Sequence, residues 1–78
     1  MSWDYRVVQR EHSGIVCHEI IEVYYDGNGV IESWTGDSIA PFSNSGVGDL
    51  KKELRHMLKA FEKPVLIEGN DGLVESQQ

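Results

Sequence analysis

The sequence predicts a small α+β domain: a three-stranded antiparallel meander, one amphipathic helix on one face, and a short fourth strand. Three segments, residues 3–10, 15–25 and 30–35, are rich in aromatic and β-branched side chains and are separated by Gly-containing turns. Residues 47–61 instead carry apolar side chains every three or four positions, which is the period of a helix. A chain of 78 residues is long enough for a single domain with a modest core.

The two turns of the meander set its register. Residues 11–14 and 26–29 can each form a type I turn followed by a left-handed Gly, which makes a three-residue hairpin loop. Glu11 then faces Ile15, and register decides which side chains share a face. A two- or four-residue loop in the second turn would instead turn Trp34 inward. The face predicted to lie under the helix consists of Trp3, Tyr5, Val7, Ile15, Cys17, Ile21, Val23, Tyr25 and Ile31.

The helix and the segment after it complete the predicted topology. Ser45 is a suitable N-cap, and Pro64 ends the helix before the apolar run at residues 65–67. A fourth strand there can lie beside the first and parallel to it, which gives the order 3-2-1-4 with a right-handed crossover. We expect one domain over residues 1–68 and a disordered tail over residues 69–78. The apolar stripe of the helix is Val47, Leu50, Leu54, Met57, Leu58 and Phe61.

This arrangement resembles a known family. The β-β-β-α core, the loop SIAPFSNSG, the helix DLKKELRHMLKAF and the strand KPVLI are similar to the partial RNase H-like fold of HicB-type antitoxins. The chain also resembles small uncharacterised bacterial proteins with a WTxDxxAP…ML.AF.KPVL pattern. The first resemblance covers residues 3–67 and implies toxin binding and self-association. The Pro-Gly-Cys element usual before the HicB helix does not occur here.

Charge is distributed unevenly along the chain. The formal net charge is −6, yet residues 47–63 carry five bases against three acids. An acidic protein argues against an anionic membrane or a nucleic-acid backbone as the main partner. One cysteine, the charged N-terminal residues and the lack of a long apolar run lead us to expect a cytoplasmic protein. The basic side chains form a candidate partner-docking edge of the helix: Lys51, Lys52, Arg55, Lys59 and Lys63.

No catalytic or metal-binding pattern emerges from the sequence. His12, His18 and His56 fall on a turn, a strand and a helix, so they do not converge on a metal. Cys17 and His18 are neighbours in a strand and point to opposite faces, so they cannot act as nucleophile and base. The carboxylates do not form an RNase H-type cluster. We therefore expect no enzyme activity, no metal and no cofactor.

The outer face of the predicted sheet is more apolar than an exposed face should be. A contiguous patch that contains Trp and Tyr is typical of an interface. We therefore expect a non-enzymatic interaction or regulatory module that forms a homodimer through this face, with a further protein partner also possible. The alternative is a small nucleic-acid-associated regulator that uses the basic helix edge. The candidate interface residues are Val8, His18, Ile20, Tyr24 and Trp34.

Overall fold

Five strands and one α-helix make up residues 2–76, the part of the chain that the computed structural model describes. The helix, α1, is continued by a single 3₁₀ turn over Lys59–Glu62. The α+β class predicted from the sequence is therefore confirmed. The elements are β1 (Ser2–His12), β2 (Ile15–Tyr25), β3 (Ile31–Trp34), α1 (Val47–Leu58), β4 (Leu66–Gly69) and β5 (Gly72–Glu75).

The sheet has the order β3-β2-β1-β4-β5. Strand β4 is parallel to β1, as predicted, and β5 adds an antiparallel fifth strand beyond it. The tail predicted for residues 69–78 is wrong for residues 69–76, because Gly69 pairs with Gly72 and closes a tight hairpin. Gly72 has a φ of 116°, a conformation that favours glycine. The last two residues of that tail, 77–78, lie outside the described residues.

The β1–β2 hairpin has a different register from the predicted one. His12 pairs with Ile15 across a two-residue loop, Ser13-Gly14, in which both φ angles are positive, at 52° and 84°. Such a loop corresponds to a type I′ turn, which requires positive φ at both central residues. The predicted pairing of Glu11 with Ile15 is therefore wrong by one residue. A slip of one residue moves every β2 side chain to the opposite face relative to β1.

The β2–β3 hairpin has the predicted register next to its turn and a different register further along the strands. The N–H of Asp26 donates to the carbonyl of Val30 at 2.9 Å, and the neighbouring residues pair in the expected register. An irregularity next to Tyr24 then shifts the pairing, so that Val23 lies opposite Trp34. A β-bulge, rather than a different loop length, thus turns Trp34 onto the face of Val23.

Each face of the sheet has its own core. On the helix-side face, Tyr5 and Val7 pack with Met57 and Ala60. The opposite face, here called the curled face, is covered by the curl of the sheet itself. Its edge strands meet: a Cβ added to Gly72 of β5 would lie 3.5 Å from the ring of Trp34 in β3. The buried residues of the curled face are Val8, Ile21, Val23, Tyr25 and Leu66.

The face predicted to lie under the helix is therefore divided between the two sides of the sheet. Its three β1 residues lie on the helix side. Its β2 and β3 residues lie on the opposite face, because the observed register differs by one residue from the predicted one. Ile15 is 65% exposed and belongs to neither core. The helix side keeps Trp3, Tyr5 and Val7, whereas the curled face receives Cys17, Ile21, Val23, Tyr25 and Ile31.

Helix α1 begins at Val47 as predicted, but the side that it packs against the sheet differs from the predicted one. Its N-cap is Gly46 rather than the predicted Ser45, without a side-chain cap. The helix buries Met57, whereas Leu54, Leu58 and Phe61 are 44%, 64% and 65% exposed. The helix side offers few apolar β2 side chains after the register slip, so most of the predicted stripe faces solvent. Within residues 2–76, no helix combines the length and apolar character needed to cross a membrane.

Candidate functional site

An open apolar cleft of about 470 Å³ lies between α1 and the segment that connects β3 to α1. Its floor is the buried Met57, and its outer wall is formed by exposed side chains of α1 and of the 3₁₀ turn. Every lining residue is apolar, so the cleft offers no hydrogen-bonding or ionisable side chain for chemistry. The lining residues are Ile20, Ile39, Pro41, Leu54, Met57, Leu58 and Phe61.

The connection before α1 forms the opposite wall because it is tied to the sheet. The N–H of Ile39 donates to the carbonyl of Ile20 at 2.8 Å, which holds this segment against β2. The 3₁₀ turn then continues α1 so that Ala60 is buried while Phe61 remains exposed. The cleft thus has one wall from the β3–α1 connection and another from the helix.

Two further apolar side chains in the part of the chain that forms the cleft are exposed. Phe42 follows Pro41 and is 74% exposed, and Val47 at the start of α1 is 83% exposed. Large exposed apolar patches are uncommon on monomeric proteins and often mark interaction sites. The surface is therefore a candidate for binding another protein.

The basic edge predicted from the sequence runs beside this cleft. Lys51 lies one helical turn before Leu54, and Arg55 lies one turn before Leu58, so each is a neighbour on the helix surface. Lys51, Lys52, Arg55 and Lys59 are all exposed. Lys63 differs from them because it forms a salt bridge with Asp4. Three of the five predicted bases are therefore exposed on α1, and Lys59 is exposed at the start of the 3₁₀ turn.

The five candidate interface residues do not share one surface. Val8 is fully buried in the curled face, and Trp34 packs against the same core. Ile20 and Tyr24 lie on the helix side of the sheet, and His18 is exposed beside Gln9. The single open sheet face that the sequence predicts is therefore wrong, because it depended on the register that slipped. Of the five, Ile20 lines the cleft.

A smaller polar pocket of about 230 Å³ lies on another side of α1. The Tyr5 hydroxyl donates to Glu53, and burial together with this carboxylate raises the pKa of Tyr5. The ring of His56 packs against Tyr5 and Trp3, with ring centroids 4.8 and 5.2 Å apart. Both acids and bases line the pocket, whose lining residues are Asp4, Tyr5, His56, Lys59, Glu62 and Lys63. We interpret it as packing between β1 and α1.

Two buried arginines are the main feature that sequence reasoning missed. Arg6 and Arg10 are 2% and 3% exposed and lie on the curled face with Val8. Their spacing at alternate strand positions was the available signal, since it places both with Val8 on one face. The guanidinium of Arg6 donates to the Tyr25 hydroxyl at 2.9 Å and to the Pro64 carbonyl at 2.8 Å.

Arg10 of β1 is bonded to β2, to β4 and to the segment that follows β3. Its guanidinium donates to Glu19 of β2 at 3.1 Å and to Glu68 of β4 at 3.2 Å. It also donates to two backbone carbonyls that follow β3, those of Thr35 and Gly36, at 3.0 and 2.8 Å. A planar fork with five donors suits such multiple bonding. Arg10 is therefore a structural residue.

The comparisons with known proteins find no match, whether to a family model, to a curated protein or to a solved structure. Within residues 2–76, no group of three or more His, Cys, Asp or Glu side chains could hold a metal ion. Function must therefore be argued from the apolar cleft and from the charges beside it.

Proposed function

We propose that this chain is a non-enzymatic protein-interaction module that binds an amphipathic helix of a partner protein in the apolar cleft. The observation that carries the proposal is the cleft of about 470 Å³ with a wholly apolar lining. Leu58 and Phe61 are about two-thirds exposed, and covering apolar surface contributes about 25 cal/mol per Å². A helix laid into such a groove is a recurring mode of peptide recognition.

The charges beside the cleft indicate which partner fits. Lys51 and Arg55 border its helix wall, so a partner helix with acidic residues flanking its apolar stripe would be complementary. A partner with basic flanks would meet like charges there. The remainder of the chain is acidic, which makes this edge the local exception in a protein of net charge −6. We therefore propose an acidic amphipathic helix as the occupant.

The topology supports a binding role in a second way. Apart from the 3₁₀ turn and β5, which the resemblance does not include, the element order agrees with the one that the resemblance to HicB-type antitoxins implies. That family acts by binding other proteins, so the resemblance favours an interaction module over a catalyst. A HicB-like role accordingly remains part of the proposal.

The basic edge also supports the alternative, a nucleic-acid-associated regulator. Lys51, Lys52, Arg55 and Lys59 are exposed and could contact phosphates. The apolar cleft beside them has no function in that case, and the net charge of −6 opposes phosphate binding. The protein partner therefore accounts for more of the surface.

Two synthetic peptides test the proposal. Both carry leucines at helical i, i+3, i+4 and i+7 positions, and they differ in having either glutamates or lysines on the flanks. Fluorescence anisotropy should show tighter binding of the acidic peptide, and Leu58→Glu should weaken it by about tenfold or more. The matched control is Val74→Glu on β5, since Val74 is 62% exposed, does not line the cleft, and lies three strands away from β2 in the sheet. This control should bind like the wild type.

Three results would contradict the proposal. Equal affinity for the two peptides would contradict the role given to the charges beside the cleft. Binding that Leu58→Glu leaves unchanged would show that the peptide does not occupy the cleft. Salt-sensitive binding of a single-stranded RNA, tighter than that of the acidic peptide, would favour the nucleic-acid alternative instead.

A further inference from the structure

Only part of the outer edge of strand β2, the edge away from β1, is covered. Strand β3 pairs with Val23–Tyr25 alone. Beyond it, Thr35 N–H donates to the carbonyl of Glu22 at 3.0 Å, and the connection to α1 bonds the carbonyl of Ile20. From there to the hairpin turn, no backbone group within residues 2–76 bonds to this edge of β2.

The direction of the unpaired groups follows from strand geometry. Backbone N–H and C=O groups of successive residues in a strand point alternately to its two edges. The carbonyls of Glu22 and Ile20 point to the β3 side, so both backbone groups of Val16 and His18 point there too. We call the segment 16–18 the free edge of β2. It presents two donors and two acceptors to solvent.

The free edge lacks the devices that protect edge strands from pairing. Proteins commonly place Lys, Pro or a bulge on exposed edges. The segment from Ile15 to His18 has none of these, and its pairing with β1 is regular. Ile15 and Val16 are also 65% and 56% exposed, although β-branched side chains favour a paired strand.

We propose that the free edge pairs with the free edge of a second copy of this chain, in antiparallel orientation. Val16 then lies opposite His18 of the second copy, and the reverse pair forms across the two-fold axis. The four hydrogen bonds of these two pairs use all four free backbone groups of each copy. A register shifted towards Ile20 would need its carbonyl, which already accepts a bond from Ile39. The result is one continuous sheet through both copies.

This register places the cysteine at the centre of the interface. Cys17 lies on the two-fold axis, opposite Cys17 of the second copy, in a pair that exchanges no backbone hydrogen bonds. Such pairs have Cα atoms about 4.5 Å apart, which is within the range that a disulfide spans. The cysteine is the only one in the chain, so it reports on this pairing without engineering.

The first experiment measures self-association of the chain without cross-linking. Sedimentation equilibrium of the wild type at micromolar concentration should give twice the 8.8 kDa mass of one chain. Val16→Lys places a charge on the free edge and should halve that mass. The matched control, Val74→Lys, changes a similarly exposed valine of β5 and should remain dimeric. Unchanged circular dichroism shows that both variants are folded. A monomeric wild type, or a dimer that survives Val16→Lys, would overturn the proposal.

Cross-linking tests the register. Added diamide accepts the two electrons and two protons released as two thiols form one disulfide, and the wild type should give a covalent dimer. In the double variant Cys17→Ser with His18→Cys, the thiols sit on diagonal positions about 7–8 Å apart, and cross-linking should be at least tenfold slower. Faster cross-linking of the double variant would overturn the register. Leu58→Glu should leave the dimer intact, so loss of peptide binding and loss of the dimer are separate results.

Discussion

At the scale of single residues, Arg10 shows how a charge can be kept inside so small a domain. Burying an unpaired charge costs several kcal/mol, so a buried guanidinium needs partners for its donors. The guanidinium of Arg10 has four hydrogen-bond partners. One of them, the carboxylate of Glu19, is also bonded to the ring of His12, with 2.7 Å between Nε2 and Oε2. The hydrogen bond from His12, and then that from Arg10, lower the pKa of Glu19.

The Glu19 carboxylate should therefore contribute a pH-dependent part of the stability. Its pKa is lowered in the folded state, so the stabilisation is complete above the ordinary pKa of 4.5 and is lost as the pH falls through the lowered value. Glu19→Gln should reduce the urea midpoint at neutral pH and have no effect in strong acid. Glu11→Gln, at an exposed position of β1, is the control and should match the wild type throughout. An equal loss from Glu19→Gln at every pH would contradict this account.

At the scale of elements, the sequence predicted the strands and the helix well and their faces poorly. Alternation and period identified β1, β2, β3, α1 and β4 because those patterns depend on local backbone geometry. Register depended on one turn, and Ser13 adopts a φ of 52° that is uncommon for any residue except glycine. The predicted three-residue loop over residues 11–14 had only one residue with positive φ, a glycine. The error in one turn then misplaced the β2 and β3 members of the predicted inner face, whereas those of β1 lie where they were predicted.

The β1–β2 turn can be tested by a substitution that suits its conformation. Asn tolerates positive φ better than Ser and is favoured at the first central position of a type I′ turn. Ser13→Asn should therefore raise the free energy of unfolding by about 0.5–1 kcal/mol, a fraction of the cost of a left-handed residue. Chemical denaturation measures the change. Ser38→Asn is the control, because Ser38 is exposed and its φ is not positive, and it should leave the stability unchanged.

The candidate site shows the same limit of sequence reasoning. The apolar period of residues 47–61 predicted a stripe on the helix, and the stripe exists. A period shows that side chains share a face and does not show what covers them. Met57 is buried against the sheet, whereas Leu58 and Phe61 line an open cleft. The bases of the predicted edge are exposed over four residues, because their spacing depends on local helical geometry alone. That this edge docks a partner stays a prediction.

At the scale of the whole molecule, the sheet provides the cover for its own second core. A single helix can cover one face, and the curled face is instead closed where β3 meets β5 at Trp34 and Gly72. Leu73 of β5 packs against the same core. Strand β5 is also tied back by Ser76, whose N–H donates to the carbonyl of Val65 at 2.7 Å. The last strand, which the sequence did not reveal, thus completes the fold.

A chain that ends after Gly69 tests this role of β5. It lacks Leu73 against the core, the contact of Gly72 with Trp34, and the salt bridge from Glu75 to the buried Arg6. Removing a comparable set of contacts from a core costs about 2–5 kcal/mol, which is a large part of the stability of a domain this small. Urea unfolding should therefore show a lower midpoint, and Trp34 fluorescence in a Trp3→Phe background should shift to the red. A chain that ends after Ser76 is the control and should unfold like the full chain. An unchanged midpoint after truncation at Gly69 would mean that the curled face is closed without β5.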